Sequence, residues 1–98
     1  MKLWVDDDIA SLNRQAPEGW LWAKTSDEAI EMLRNYWIEE ISFDHDSGDG
    51  DDFIRVARYI EEMAHKGKIN RLKWSVHSAN PVGAKAIVDT IRSAERFW

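Results

Sequence analysis

Cysteine is absent from the 98-residue sequence, which excludes a disulfide framework, thiolate chemistry and a zinc–thiolate site. Long apolar runs are absent as well: the run near the N-terminus stops at Val5 and is far too short for a signal peptide or a membrane span. Internal repeats and low-complexity tracts are also missing. We therefore expect a cytoplasmic protein that does not enter a membrane.

A basic stripe is the third missing feature. The formal net charge is −5, with 13 Lys and Arg against 18 Asp and Glu, and the densest charge along the chain is negative. Proteins that bind a long nucleic-acid duplex usually carry a basic patch, so extended duplex binding is not expected. A small ligand or a single RNA end remains compatible, because one phosphate needs only a few donors or a metal ion.

The composition that is present suits one globular domain covering residues 1–98. Apolar residues make up 44% and charged residues 32% of the chain. Six tryptophans are many for this length. We expect them mainly to fill a small core with large rings, with ligand stacking and a protein interface as the alternatives.

Hydrophobic patterning predicts an α/β fold. Short apolar runs predict four strands, at residues 2–5, 20–24, 40–43 and 71–76. Helices are predicted after the last three, whereas residues 9–19 are loop-like. Alternation of strands and helices favours a four-stranded parallel sheet with right-handed crossovers. The fourth strand would then leave an open sheet edge, which favours a homodimer.

Start signals and apolar spacing define the three helices. The first begins with a capping box at residues 25–28, the second with Asp51 or Asp52 as cap, and the third with Asn80 as N-cap and Pro81 at the first helical position. We expect the second to stop at Gly67 and the third near residue 95. Residues predicted on their buried faces are Ala29, Ile30, Leu33 and Tyr36 or Trp37; Phe53, Ala57, Ile60 and Ala64; and Ile87, Ile91 and Ala94, with Ala86 and Val88 at the margin.

Acidic residues cluster where the predicted strands end, at the edge where open parallel sheets bind ligands. The group that would converge comprises Asp6, Asp7, Asp8, Asp44 and Asp46. Carboxylates this close either take up protons or hold a cation. Oxygen ligands suit Mg²⁺ or Mn²⁺. For Asp49, Asp51 and Asp52 we favour solvated loop positions and helix capping instead.

Other polar residues follow the third and fourth strands. His45 and His77 are candidate general acids or bases, although each could simply hydrogen-bond a loop carbonyl. Ser78, Asn80 and Gly83 frame the start of the last helix, where free N–H groups can hold an anion. Capping alone is the alternative for Asn80. His65 lies late in a helix and receives no role in the site.

These residues resemble those of response-regulator receiver domains. Such domains have an acidic pair after the first strand, an aspartate ending the third and a Ser or Thr ending the fourth, which Asp6, Asp7, Asp44 and Ser78 match. The resemblance implies a flavodoxin-like, three-layer sandwich that lacks a full first helix and a fifth strand. The lysine that follows a receiver's fifth strand has no counterpart in this sequence.

A narrower resemblance covers essentially the whole chain. The sequence is similar to the cyclic-phosphate processing receiver-like family at residues 3–7, 16–20, 42–46, 48–50 and 77–83. It departs from that family at residues 8–15 and at Ser47. The resemblance carries over to Asp6, Asp7, Asp44, His45, Asp46, His77, Ser78, Asn80 and Gly83.

The resemblance implies a role with cyclic phosphates, such as cyclic nucleotides or RNA ends with a 2′,3′-cyclic phosphate, in RNA repair or in phage–host conflict. The leading hypothesis is a phosphodiesterase or cyclic-phosphate hydrolase that uses Mg²⁺ or Mn²⁺. Its metal ligands would be Asp6, Asp7, Asp44 and Asp46, its catalytic residues Asp44, His45 and His77, and its substrate-binding residues Ser78, Asn80 and Gly83. Two alternatives are a non-catalytic binder that sequesters a cyclic nucleotide, and an atypical phospho-acceptor receiver that acts as an interaction module.

Overall fold

The computed structural model describes residues 1–6, 17–43, 53–76 and 81–98, with only the backbone of residues 81–83. Four strands and three helices follow one another in the predicted order. They are β1 (Lys2–Val5), β2 (Trp20–Ala23), α1 (Ser26–Asn35), β3 (Glu40–Phe43), α2 (Ile54–His65), β4 (Lys73–Val76) and α3 (Pro81–Ala94), followed by a short 3₁₀ turn at Glu95–Phe97.

All four strands are parallel and lie in the order β2-β1-β3-β4. Val5 pairs with Ala23 on one side and with Phe43 on the other, and Phe43 pairs in turn with Val76. The four strands therefore end level with one another. The predicted parallel α/β fold is confirmed, and the order of its four described strands is that of flavodoxin-like sheets.

One face of the sheet forms the hydrophobic core. Residues that alternate along the strands, among them Leu3, Val5, Ile41 and Phe43, are fully buried. They belong to one cluster with apolar residues of all three helices. Since α2 packs against both α1 and α3, the three helices form one layer. The expected three-layer sandwich needs a second layer of helices on the other face of the sheet. The part of the chain that the structure describes shows no such layer.

Two of the six tryptophans, Trp74 and Trp98, pack against this core, so the expectation that the tryptophans mainly fill it is met only in part. None of the six is among the fully buried residues: Trp37 is 70% exposed and the others are partly buried. Strand alternation explains three of them, since Trp4, Trp20 and Trp22 fall on the face of the sheet turned away from the helices. The core relies on smaller aliphatic side chains and on two phenylalanines, Phe43 and Phe53.

The capping box at the start of α1 is confirmed, with one difference. The Thr25 hydroxyl accepts from the backbone N–H of Glu28 at 3.1 Å. The Glu28 carboxylate accepts from the N–H of Lys24, at 2.8 Å, and thus holds the residue before the cap. Burial of Tyr36 or Trp37 was wrong, because the chain is already extended at Tyr36 and leaves both side chains exposed.

Helix α2 starts differently from the prediction. Its N-cap is Phe53, which is fully buried and adopts the left-handed conformation with φ 58°. Asp51 and Asp52 lie outside the described residues. Burial of Ala57, Ile60 and Ala64 is confirmed. Gly67, at φ 69°, ends the helix as expected, with its N–H bonded to the Ala64 carbonyl at 3.0 Å.

Helix α3 buries the predicted face of Ile87, Ile91 and Ala94. Ala86 was wrongly placed on that face, since it is exposed, whereas Val88 is half-buried. Among the described residues, no helix is long and apolar enough to cross a membrane.

The fully buried ring of Phe53 should contribute strongly to the stability of the core. Phe53→Ala should lower the free energy of unfolding by about 3–5 kcal/mol, because it empties a site enclosed by the core. Urea unfolding measures the change. Trp37→Ala, at an exposed aromatic position, should stay within about 0.5 kcal/mol of the wild type. Equal losses in the two variants would contradict the packing described for Phe53.

The outer edge of β4 is the surface through which the predicted homodimer would form. The N–H of Lys73 donates to the Glu39 carbonyl on the β3 side, at 3.0 Å. The alternation of a strand therefore turns the backbone groups of Trp74 and Val76 outward. Such an edge can pair with a second copy. Sedimentation at micromolar concentration should give a dimer, and a monomer at every concentration would remove this prediction.

Candidate functional site

The candidate site lies at the edge where the parallel strands end. Strands β1, β3 and β4 end level at Val5, Phe43 and Val76. The chain passes from β1 to a neighbour on one side, β2, and then to β3 on the other side. The gap between the ends of β1 and β3 is therefore the topological switch point, where open α/β sheets bind their ligands.

Asp6 occupies the end of β1 beside this switch point and is fully buried. Its N–H donates to the Ala23 carbonyl at 3.0 Å, which extends the pairing of β1 with β2 by one residue. Its own carbonyl accepts a bond from the indole N–H of Trp22 at 2.6 Å. Both of these bonds involve residues of β2, so the backbone of Asp6 is tied to that strand. Burying a carboxylate is costly unless hydrogen bonds or a cation compensate.

Trp22 and Lys24 are neighbours of Asp6 that the sequence prediction did not assign to the site. The Lys24 ammonium lies 4.9 Å from the centroid of the Trp22 ring, a cation–π distance. The alternation of residues 20, 22 and 24 was the available signal, because it places all three on one face. The Trp22 ring therefore carries a cation on its face and is bonded through its N–H to the backbone of Asp6.

Serines link β3 and β4 on the same face as these tryptophans. The hydroxyls of Ser42 and Ser75 are 3.1 Å apart, and Ser42 is 3% exposed. Because the two residues pair across the ladder, the contact fixes polar groups next to the strand ends. This face is therefore polar and aromatic, whereas the opposite face is aliphatic.

The start of α3 lies in the described part of the chain only from Pro81 onward. Pro81 is the first helical residue, as expected, and Gly83 lies in the first turn, where no acidic residue is present. The two preceding site residues, Ser78 and Asn80, lie outside the described residues. The phosphate-binding role of this helix end stays a prediction.

Most of the predicted site also lies outside the described residues: Asp7, Asp8, Asp44, His45, Asp46 and His77. Within the ranges that are described, no group of three or more His, Cys, Asp or Glu residues is suited to hold a metal ion. Asp6 is thus the sole described member of the predicted metal set. His65 was given no role in the site. Its ring makes an edge-to-face contact with that of Phe97, with 4.8 Å between the ring centroids.

The Trp22 hydrogen bond should contribute to stability as well as to the site. Trp22→Phe removes the donor to the Asp6 carbonyl and should lower the free energy of unfolding by about 1–2 kcal/mol more than Trp20→Phe does. Trp20 is a matched control on the same strand and face. Thermal or urea unfolding of both variants measures the difference, and equal losses would show that the bond contributes nothing.

Comparisons with known proteins place the chain in a family. A family described as the cyclic-phosphate processing receiver domain matches residues 1–93. The comparison with curated proteins found no match, and the comparison with solved structures found none either. The match covers nearly the whole sequence, including both strand ends at the switch point. The chain therefore belongs to the cyclic-phosphate processing receiver domain family.

Proposed function

We propose that this protein processes a cyclic phosphate with the help of a divalent metal ion at the carboxyl edge of its sheet. The observation that carries the proposal is the position of Asp6, a buried carboxylate at the β1/β3 switch point of a cyclic-phosphate processing receiver domain. The substrate class is a cyclic nucleotide or an RNA end with a 2′,3′-cyclic phosphate.

Chain connectivity supports assigning two further strand ends to this chemistry. In the sequence, Asp44 directly follows Phe43, the last residue of β3, and His77 directly follows Val76, the last residue of β4. Successive Cα atoms are only 3.80 Å apart. The proposal therefore assigns Asp44 to the same metal set as Asp6, and His77 to proton transfer.

The donor set suits a hard cation. Asp6, Asp7, Asp44 and Asp46 would hold Mg²⁺ or Mn²⁺ through carboxylate oxygens alone, as these ions prefer. When bound, such an ion polarises the phosphoryl oxygens and stabilises the charge that develops on them. The first turn of α3, with Ser78, Asn80 and Gly83, would bind the phosphate through its free N–H groups.

The reaction is a hydrolysis that opens the ring. Water attacks phosphorus, and one of the two ester P–O bonds breaks. His77 or His45 takes the proton of the attacking water and returns one to the leaving sugar oxygen. The product is a phosphomonoester on one hydroxyl and a free hydroxyl on the other.

Chromatography of a short RNA ending in a 2′,3′-cyclic phosphate, with cyclic mono- and dinucleotides alongside, tests the proposal. We expect a new product that requires Mg²⁺ or Mn²⁺ and falls by about a hundredfold in Asp44→Asn, since a metal-stabilised transition state is worth several kcal/mol. Asp89→Asn is the matched control, because Asp89 is exposed and pairs with Lys85 in its own helix.

Other outcomes of that experiment point to other functions. Full turnover by Asp44→Asn would contradict the scheme. Unchanged nucleotides that nevertheless bind would identify a binder that sequesters its ligand. A mass increase at Asp44 after treatment with acetyl phosphate, without nucleotide turnover, would identify a phospho-acceptor receiver.

Metal binding has a test that does not depend on activity. Mg²⁺ or Mn²⁺ at a hundred times its dissociation constant should stabilise the folded protein by about 2.7 kcal/mol, which raises the melting temperature by about 10–20 °C for a domain of this size. The increase on adding metal should largely disappear in Asp6→Asn and persist in Asp89→Asn. Equal increases in both variants would remove Asp6 from the metal set.

A further inference from the structure

The sheet face turned away from the helices carries an unusual stripe of side chains, which we name the indole face: Lys2, Trp4, Trp20, Trp22 and Lys24. Trp4 and Trp20 meet edge to face with their ring centroids 5.7 Å apart. The Lys2 ammonium lies 5.6 Å from the Trp20 ring and the Lys24 ammonium 4.9 Å from the Trp22 ring. All three indoles are partly buried.

Among the residues that the structure describes, the charge of this face is opposite in sign to that of the protein. The chain has a net charge of −5, yet the residues that alternation assigns to this face include Lys2, Lys24 and Lys73. Within the described strands, one anionic residue lies on this face, Glu40, and the buried Asp6 follows β1. The Glu40 carboxylate lies 3.8 Å from the Lys2 ammonium. Lys24 has no carboxylate partner among the described residues. Aromatic rings interleaved with cations favour a ligand that is both flat and anionic.

The indole face is continuous with the proposed site. Trp22 donates its indole N–H to the carbonyl of Asp6, so one end of the stripe lies beside the switch point. Trp20 follows two residues back along the same strand, a step of about 6.6 Å. This step is about twice the 3.4 Å rise of a nucleotide in a duplex strand, so it fits a stretched single strand and not a stacked helix.

We infer that the indole face binds the nucleotides upstream of the cyclic phosphate, and hence that the preferred ligand is the end of a single-stranded RNA. The terminal phosphate would lie at the switch point, which rests on the proposed function. The last base stacks on Trp22, and the next one on the Trp20 region. A backbone phosphate draws the Lys24 ammonium off the Trp22 ring, which exposes the ring to the base.

This inference distinguishes an RNA end from a free cyclic nucleotide. A mononucleotide can use the switch point and at most one indole, whereas an oligonucleotide can use the whole stripe. Affinity should therefore rise with length until the stripe is covered and then level off. Stacking on an aromatic ring contributes enough for about a tenfold gain per base.

Calorimetric titration without added metal, which leaves the RNA unchanged, tests the length dependence. The probes are a 2′,3′-cyclic mononucleotide and single-stranded RNAs of three and six nucleotides that end in a 2′,3′-cyclic phosphate. We expect the hexamer to bind at least tenfold more tightly than the mononucleotide. Equal affinities for all three probes would overturn the inference.

Substitutions in the indole face show which residues provide the higher affinity for the hexamer. Trp22→Leu and Lys24→Gln should each weaken hexamer binding about tenfold, and Lys24→Gln should also reduce its salt dependence. Trp22→Phe should keep most of the affinity, because a phenyl ring still stacks although it cannot donate to Asp6. A purely structural role would make the Phe and Leu variants equally weak.

Controls come from the same residue types elsewhere. Trp37→Leu removes an indole that is 70% exposed near the opposite edge of the sheet, and Lys68→Gln removes an exposed cation that follows α2. Both should bind the hexamer like the wild type. If Trp22→Leu fails to fold by circular dichroism, Trp20→Leu and Lys24→Gln decide the question, and wild-type affinity in both would overturn the inference.

The same experiments separate this inference from the proposed function. If the protein binds the hexamer through Trp22 and Lys24 but never opens its cyclic phosphate in Mg²⁺ or Mn²⁺, the indole face is an RNA-binding surface and the proposed hydrolysis is wrong. If the protein opens the cyclic mononucleotide with metal, yet its affinity does not depend on RNA length, the hydrolysis holds and the RNA-binding role of the indole face is wrong.

Discussion

The pairing of β1 on both of its sides is the constraint on which the rest of this structure depends. With only four residues, β1 holds β2 and β3 in parallel register, and the reversal of strand order beside it creates the topological switch point at which the candidate site lies. The backbone of Asp6 continues that pairing by one residue toward β2. The candidate site residue Asp6 is thereby positioned by the same kind of backbone hydrogen bond that holds the sheet together.

The two faces of the sheet differ in composition because the three helices form one layer and cover only one of them. One face supplies the aliphatic core with Leu3, Val5, Ile41 and Phe43. The other face is left with large aromatic rings and lysines, which tolerate partial exposure because each has an apolar body and a polar tip. Strand alternation alone is enough to produce this division, and a shift of one residue in register would exchange the two faces.

Much of the fold could be predicted from the sequence, because strand ends coincide with abrupt changes in polarity. β1 and β3 match the predicted bounds residue by residue, whereas β4 starts two residues later, since Leu72 is buried without joining the ladder. The environment of the tryptophans could not be predicted, since a hydrophobic pattern does not reveal which sheet face the helices cover. Of the candidate site, Asp6 is found where the end of a buried strand indicated. Alternation could have placed Trp22 and Lys24 on one face, but their position beside Asp6 depends on the pairing of β1 with β2, two strands that are distant in sequence.

Position 53 shows how two local demands can restrict a sequence over evolutionary time. The left-handed backbone at the start of α2 favours glycine or asparagine, and a bulky residue there is strained by about 1–2 kcal/mol. The surrounding core demands a large apolar ring. Glycine or asparagine would relieve the backbone and leave the core site empty, whereas another large apolar residue would fill the site and keep the strain. We therefore expect this residue to be nearly fixed among relatives, and to drift only together with compensating changes in the core around it.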